Sequence, residues 1–205
     1  MPEIAKRLDH SFYNRMDVVK IAKELLGKIL VTHFDGIRSS GRIVETEAYN
    51  GVHDRACHAF AGRRTERSEH LYGGPGTVYI YICYGMHHLF NVITNKKDIP
   101  HAVLIRALEP LEGIDQMLKR TGKPVADFTI TKGPGNLARA MGMSKLHTGG
   151  DLFSDDIFIE DDGMRYKKDQ IVVTKRIGVE SAREDAELPY RFIVKGNPYV
   201  SARKS

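Results

Sequence analysis

Residues 77 to 92, TVYIYICYGMHHLFNV, alternate like a half-buried strand, break at Tyr84-Gly85-Met86 and resume. Two alternating runs about a short break specify an antiparallel hairpin. Its tip is unusual. Hairpin tips are ordinarily built from Asn, Asp and Gly, which tolerate the backbone angles a tight turn needs. Here a tyrosine and a methionine stand at the point farthest from the sheet.

The rest of the chain reads as a mixture in which antiparallel strands dominate. DVVKIAKELLG predicts an amphipathic helix: Asp17 caps it, Val18, Ile21, Ala22, Leu25 and Leu26 form one apolar stripe, and Gly27 ends it. KILVTHF and RIVETEAY read as strands joined by a turn-like DGIRSSG. Residues 50–75 are polar, glycine-bearing and aperiodic, which predicts a long functional loop with a short helical piece. HAVLIRALEP is a strongly apolar strand carrying one arginine, Arg106, and EPLEGIDQMLKR reads as a helix running through Gly113. In TKGPGNLARAMGM a Gly-Pro-Gly turn opens a short helix. DIFIEDDGMRYKKDQIVVTKRIGV reads as a hairpin about Asp162-Gly163, and YRFIVKGNPYVS ends on a strand. The expected fold is α+β: one compact domain over residues 1–205, mainly antiparallel, with helices at the periphery.

Several function classes lose support at this level. No run approaches the roughly 20 apolar residues of a membrane-spanning helix, and the charged N-terminal stretch lacks the apolar region of a signal peptide. The two cysteines, Cys57 and Cys83, are not in CxxC spacing, so a reducing compartment, the cytoplasm, is expected. No P-loop, GxGxxG or GxSxG is present, and His53, Asp54, Cys57 and His58 match no metal-binding spacing; neither cofactor nor metal is expected. Thirty-one Lys and Arg against 26 Asp and Glu give +5 and a mild lean toward anionic partners. Clusters at Arg63, Arg64 and Arg67, at Lys96 and Lys97, and at Arg165, Lys167 and Lys168 suit a phosphate backbone or simply a solvated surface.

The chemistry-bearing stretch is RIVETEAY. A period of two puts Ile43, Glu45, Glu47 and Tyr49 on one face and Arg42, Val44, Thr46 and Ala48 on the other. Carboxylates at i and i+2 have backbones about 7 Å apart, near enough for each to hinder the other's ionisation. Two readings stay open: a pair doing acid–base work, or a pair neutralised by arginines on neighbouring strands.

Taken together, GRIVETEAY, the His58 loop, PGTVYIYICYGM, Asn91 and VLIRALEPLEG resemble the alkyladenine, or 3-methyladenine, DNA glycosylase family, in register from about Phe12 to Val200. The resemblance implies a monofunctional, cofactor-free monomer that removes damaged purines from double-stranded DNA by flipping the nucleotide out and cleaving its base–sugar bond. It implies a curved sheet with a protruding, DNA-intercalating hairpin. Tyr84 would fill the vacated space, with Gly85, Met86 and His87 near the adjoining bases. The flipped base would lie between Tyr49 and the pair His58 and Tyr81, with Asn91 discouraging a 2-amino group. Glu47 would be the general base, Arg106 would hold the attacking water or a phosphate, and the carbonyl of Val194 would be a third water contact. Substrates implied are 3-methyladenine, 7-methylguanine, hypoxanthine and ethenoadenine. No lysine matches a Schiff-base position, so no strand cleavage is expected. The small residues and Phe60 after His58 depart from the more polar family version, which bears on lesion preference. A non-catalytic nucleic-acid-binding module is the competing reading, and a glycan hydrolase using Glu45 and Glu47 a weaker one.

Overall fold

The computed structural model describes residues 5–201. Nine strands form one sheet in which every pairing is antiparallel. In chain order they are β1 (Lys6–Arg7), β2 (Ile29–Phe34), β3 (Ile37–Asn50), β4 (Val78–Cys83), β5 (His87–Thr94), β6 (His101–Glu112), β7 (Ile157–Asp161), β8 (Ile171–Thr174) and β9 (Arg191–Val194). The helices are α1 (His10–Tyr13), α2 (Val18–Glu24), α3 (Ile114–Thr121) and α4 (Pro134–Ala140). The order β1-β7-β2-β3-β6-β5-β4 runs across the sheet, with β9 between β3 and β8. Among the described residues no helix is long and apolar enough to cross a membrane.

Alternation along the strands sorts side chains into two clusters. Val78, Ile80, Phe90 and Val92 join the main core with Ile21, Leu25, Met117, Leu137 and Ala138 of the helices. Tyr79 and Ile93 face the other way, into a smaller cluster with Cys57, Ala59, Leu71, Tyr72 and Ala102, against which Tyr49 and Tyr81 pack. The base of the hairpin is therefore buried on both faces, not one. The 50–75 loop covers the second face with three short 3-10 turns, at Gly51–His53, Phe60–Gly62 and Glu66–Tyr72.

α2 follows its expected stripe, with the Asp17 carboxylate accepting from Lys20 N–H and Gly27 at positive φ behind its end. Four expectations need correction. The turn between β2 and β3 is only Asp35-Gly36, both at positive φ, so Ile37 to Gly41 already belong to β3. Gly113 separates β6 from α3: its left-handed φ of 74° fits neither element, which makes it the boundary. The segment about Asp162-Gly163 is no hairpin, because β7 pairs with β1 and β2 while β8 pairs with β9. Asp162 instead takes the Arg42 guanidinium at 2.8 and 3.2 Å. Finally, Ile43 does not share the face of Glu45, since it joins Val44 in the main core.

The cause of the last is a double irregularity. Between the pairs Ile43–Leu108 and Thr46–Ile105 the ladder passes through Glu45–Ala107, so Val44 on β3 and Arg106 on β6 each stand unpaired. One edge of β3 is also shared, by β2 over Ile37–Arg42 and by β9 over Glu45–Glu47. The glutamates thus lie between Arg106 of β6 and Arg191 of β9.

Candidate active site

Glu45 and Glu47 are both fully buried. Glu45 Oε1 accepts from Arg106 Nε at 2.7 Å, Arg191 Nε at 2.8 Å and Ser201 Oγ at 2.7 Å, and Oε2 accepts from Ser201 N–H at 2.7 Å. Burial works against its charge, but the two guanidinium groups and the Ser201 donors outweigh it and hold the carboxyl below its ordinary value. Of the two readings, Glu45 takes the one in which arginines from neighbouring strands neutralise it.

Glu47 is held differently. Its Oε1 accepts the Ile177 amide at 2.8 Å, and its Oε2 accepts the Tyr49 hydroxyl at 2.9 Å and faces Arg106 Nη1 at 3.3 Å. Burial alone would pull the Arg106 guanidinium down; Glu47 and Glu45 outweigh that and hold it above its ordinary value. Burial, then the Glu47 carboxylate, pushes the Tyr49 phenol well up, so Tyr49 stays a hydrogen-bond donor at neutral pH.

Tyr49, Arg106 and Ile177 line a cleft of about 1020 Å³, which makes Glu47 the carboxylate just beneath its floor. The cleft also takes in His58, Tyr81 and Leu104, the hairpin residues Tyr84, Gly85 and His87, and Lys132 to Asn136. Arg55, Arg63, Arg67 and Lys132 supply its cations. A narrower recess at one end joins Tyr49, His58, Tyr79, Tyr81 and Asn91. The His58 ring sits 4.6 Å from Tyr81 at 71°, and its Nδ1 lies 2.9 Å from the Tyr79 hydroxyl. Desolvation, then Arg67 and Arg63, holds the His58 imidazole below its ordinary value, and burial pushes the Tyr79 phenol up to about 12. Asn91 donates its amide hydrogens to the carbonyls of Tyr79 and Leu89 at 3.2 and 3.1 Å, which leaves Oδ1 to face the recess.

At the hairpin tip Tyr84 is 86% exposed and Met86 71% exposed, so neither is buried against the body. Tyr84 has φ 50° and Gly85 φ 73°. A left-handed conformation costs a tyrosine roughly 1–2 kcal/mol, and a glycine there would cost nothing comparable. His87 leans on Gly135, where an added Cβ would come within 2.7 Å of its ring.

Of the residues singled out from sequence, Glu47, Arg106, Tyr49, His58, Tyr81, Asn91, Tyr84, Gly85 and His87 converge on this cleft or its rim. Val194 does not. The register sets Arg191 opposite Glu47, so Val194 lies three residues along β9, packed in the main core with its carbonyl accepting from Asn197 N–H at 3.3 Å. The backbone that meets Glu47 is Ile177, in an irregular segment with no sequence signal. Tyr79 was also overlooked, although it lies two residues before Tyr81 and so on the same face of β4. The cluster from His53 to His58 does not converge on a common point: Asp54 is spent on Arg176, and His58 faces the tyrosines.

Stacking surfaces inside, cations outside and a carboxylate below equip an enzyme to work on a base of a nucleic acid. The chain belongs to the methylpurine-DNA glycosylase (MPG) family, whose pattern matches residues 11–198. Relatives carrying the name "Putative 3-methyladenine DNA glycosylase" include a Clostridium perfringens protein, 45% identical over 205 residues, covering 96% of this chain and 100% of its own. One from Alkaliphilus oremlandii is 43% identical over 204 residues (96% and 100%), and one from Chlamydia abortus 45% over 190 residues (91% and 97%).

Proposed function

We propose that this protein is a monofunctional DNA glycosylase that hydrolyses the N-glycosidic bond of damaged purines in duplex DNA, 3-methyladenine foremost, and so begins base excision repair. The observation that carries the reading is Glu47, buried under the cleft floor, bridged to Arg106 and bonded to the Tyr49 hydroxyl.

The base leaves the duplex because its glycosidic bond is out of reach in the stack, at a cost of a few kcal/mol. Tyr84 enters the gap and offsets part of that cost. The extruded purine stacks against Tyr49 on one side and His58 with Tyr81 on the other. Asn91, fixed by its bonds to the Tyr79 and Leu89 carbonyls, crowds the position that the 2-amino group of guanine would need. Water then attacks the anomeric carbon: the new C–O bond forms, the C–N bond breaks, its electron pair leaves with the purine, and the proton of the water passes to Glu47. Arg106 orients Glu47. The products are free base and an abasic site, with no covalent adduct and no strand cleavage. 3-Methyladenine and 7-methylguanine, already cationic, leave without protonation; hypoxanthine and ethenoadenine need a proton and leave more slowly. The working form is a monomer in the cytoplasm.

The test is release of free base from duplex DNA carrying one hypoxanthine, and from methylated duplex, by wild type and Glu47→Gln. Release by wild type and its loss in a variant that still binds duplex is the expected result. Binding without release by wild type would leave a nucleic-acid-binding module. Borohydride trapping of a DNA adduct would refute the monofunctional mechanism.

A further inference from the structure

A second ion pair lies behind the cleft, apart from the reacting groups. Asp54 and Arg176 are 1% and 2% exposed. Arg176 Nη1 donates to Asp54 Oδ2 at 2.5 Å and to the Ala48 carbonyl at 2.9 Å; Nη2 donates to Asp54 Oδ1 at 2.8 Å and to the Asp185 carbonyl at 3.0 Å. The guanidinium carbon stands 4.8 Å from the ring centre of Tyr49 and 5.3 Å from that of Tyr190. Asp54 in turn accepts the amides of Asn50 and Ala56, at 2.9 and 3.0 Å, within the loop that leads to His58. The residue after Arg176 is Ile177, whose amide is on Glu47.

Stability alone explains this arrangement poorly. Each buried charge costs several kcal/mol of desolvation, and well-packed apolar side chains in place of such a pair are often neutral or stabilising. Arg176 Nε also has no partner among the described residues, a further cost. What apolar side chains would not supply is a planar fork that fixes direction: two carboxylate bonds, two carbonyl bonds and a cation over the Tyr49 ring.

We infer that Asp54 and Arg176 are positioning residues for base hydrolysis. The pair sets the plane of Tyr49, one side of which the guanidinium occupies, leaving the other to the purine. It also anchors the segment that brings the Ile177 amide to Glu47. Base and carboxylate are thereby held to one frame. The inference rests on the glycosylase reading and adds to it how the stacking wall and the general base are kept in mutual register.

The double variant Asp54→Leu/Arg176→Met removes both charges together, so neither is left buried without its counter-charge, while the Asn50 and Ala56 amides and the Ala48 and Asp185 carbonyls lose a partner. It is compared with wild type in thermal unfolding, in affinity for methylated duplex and in single-turnover release of methylated base. The expected result is a variant that still folds, unfolding at a lower temperature for the backbone bonds it loses, with wild-type-like duplex affinity and release slowed about 100-fold, the loss that a misplacement near 1 Å carries. Arg176→Lys, which keeps the charge and loses the fork, falls between the two. A folded double variant that releases base at the wild-type rate overturns the inference, and so does a loss of rate fully matched by a loss of affinity. Should the double variant not fold, Arg176→Lys decides: slowed release at unchanged affinity supports positioning, and unchanged release overturns it. Inactive wild type on the same DNA would instead strike down the glycosylase reading itself.

Discussion

Glu45 and Glu47 are the same residue type, two positions apart on one strand, equally buried and both in reach of Arg106. They differ in what else surrounds them. Glu45 is enclosed by Arg106, Arg191 and both donors of Ser201, and of these only Arg106 also lines the cleft. Glu47 is met by a phenol, a backbone amide and a guanidinium, the three groups that floor the cleft. Identical side chains thus become a structural clamp and a candidate base, and the neighbours decide which.

The contrast is easiest to break at Glu47. Glu47→Gln keeps the shape and removes the proton acceptor, so single-turnover base release should fall by about 10²–10⁴, the range for a lost general base, with unfolding in denaturant little changed. An equally large loss of stability would show that the two glutamates do not divide their roles. Glu45→Ala should do the reverse. It leaves Arg106 and Arg191 without their shared carboxylate, and unfolding free energy should drop by about 3 kcal/mol or more, as for a broken buried pair.

Acid sharpens the division further. The folded-state value of Glu45 lies below its ordinary one, so its contribution to stability is complete above pH about 4.5 and is lost as pH falls through the depressed value. Wild type should therefore lose stability with acid below that point, and Glu45→Gln, lacking the contribution already, should lose less over the same window. A pair of parallel acid curves would remove the clamp assignment. The smallest effect is expected far from both glutamates. Tyr84→Gly relieves the left-handed tyrosine and should stabilise the fold by about 1 kcal/mol, while weakening duplex binding and base release. Unchanged release would exclude the wedge.

Much of this was legible in the chain because it is local. Hairpins close over a few residues, so the alternation of 77 to 92 fixes its own pairing, and the β2–β3 hairpin is legible too, although its turn is Asp35-Gly36 rather than the whole of DGIRSSG. The cap at Asp17 and the stripe behind it likewise need no distant information. What failed was long-range. β7 and β8 are neighbours in sequence and fit a hairpin pattern, yet each finds its partner elsewhere. The Val194 carbonyl, expected as a contact of the attacking water, lies at the main core bonded to Asn197 N–H, and the register across β3 and β9 sets Arg191 opposite Glu47. The Asp54–Arg176 pair joins positions 122 residues apart through two irregular segments, where no periodicity announces a contact. The family resemblance supplied the site residues that spacing alone left as an open choice between two carboxylates.

The paired irregularities at Val44 and Arg106 carry one more consequence. Each strand skips one partner, and each advances three residues between Ile43–Leu108 and Thr46–Ile105, so the two slips cancel. They act like an insertion answered by a second insertion, which restores the reading frame downstream. Glu45 and Arg106 occupy the short interval between slip and restoration, Glu47 follows one residue past it, and Ala48 returns to the core as though nothing had intervened. Deleting either unpaired residue alone would shift everything on one side of it to the opposite face. Deleting both would restore the frame while removing Arg106 from beside the two glutamates.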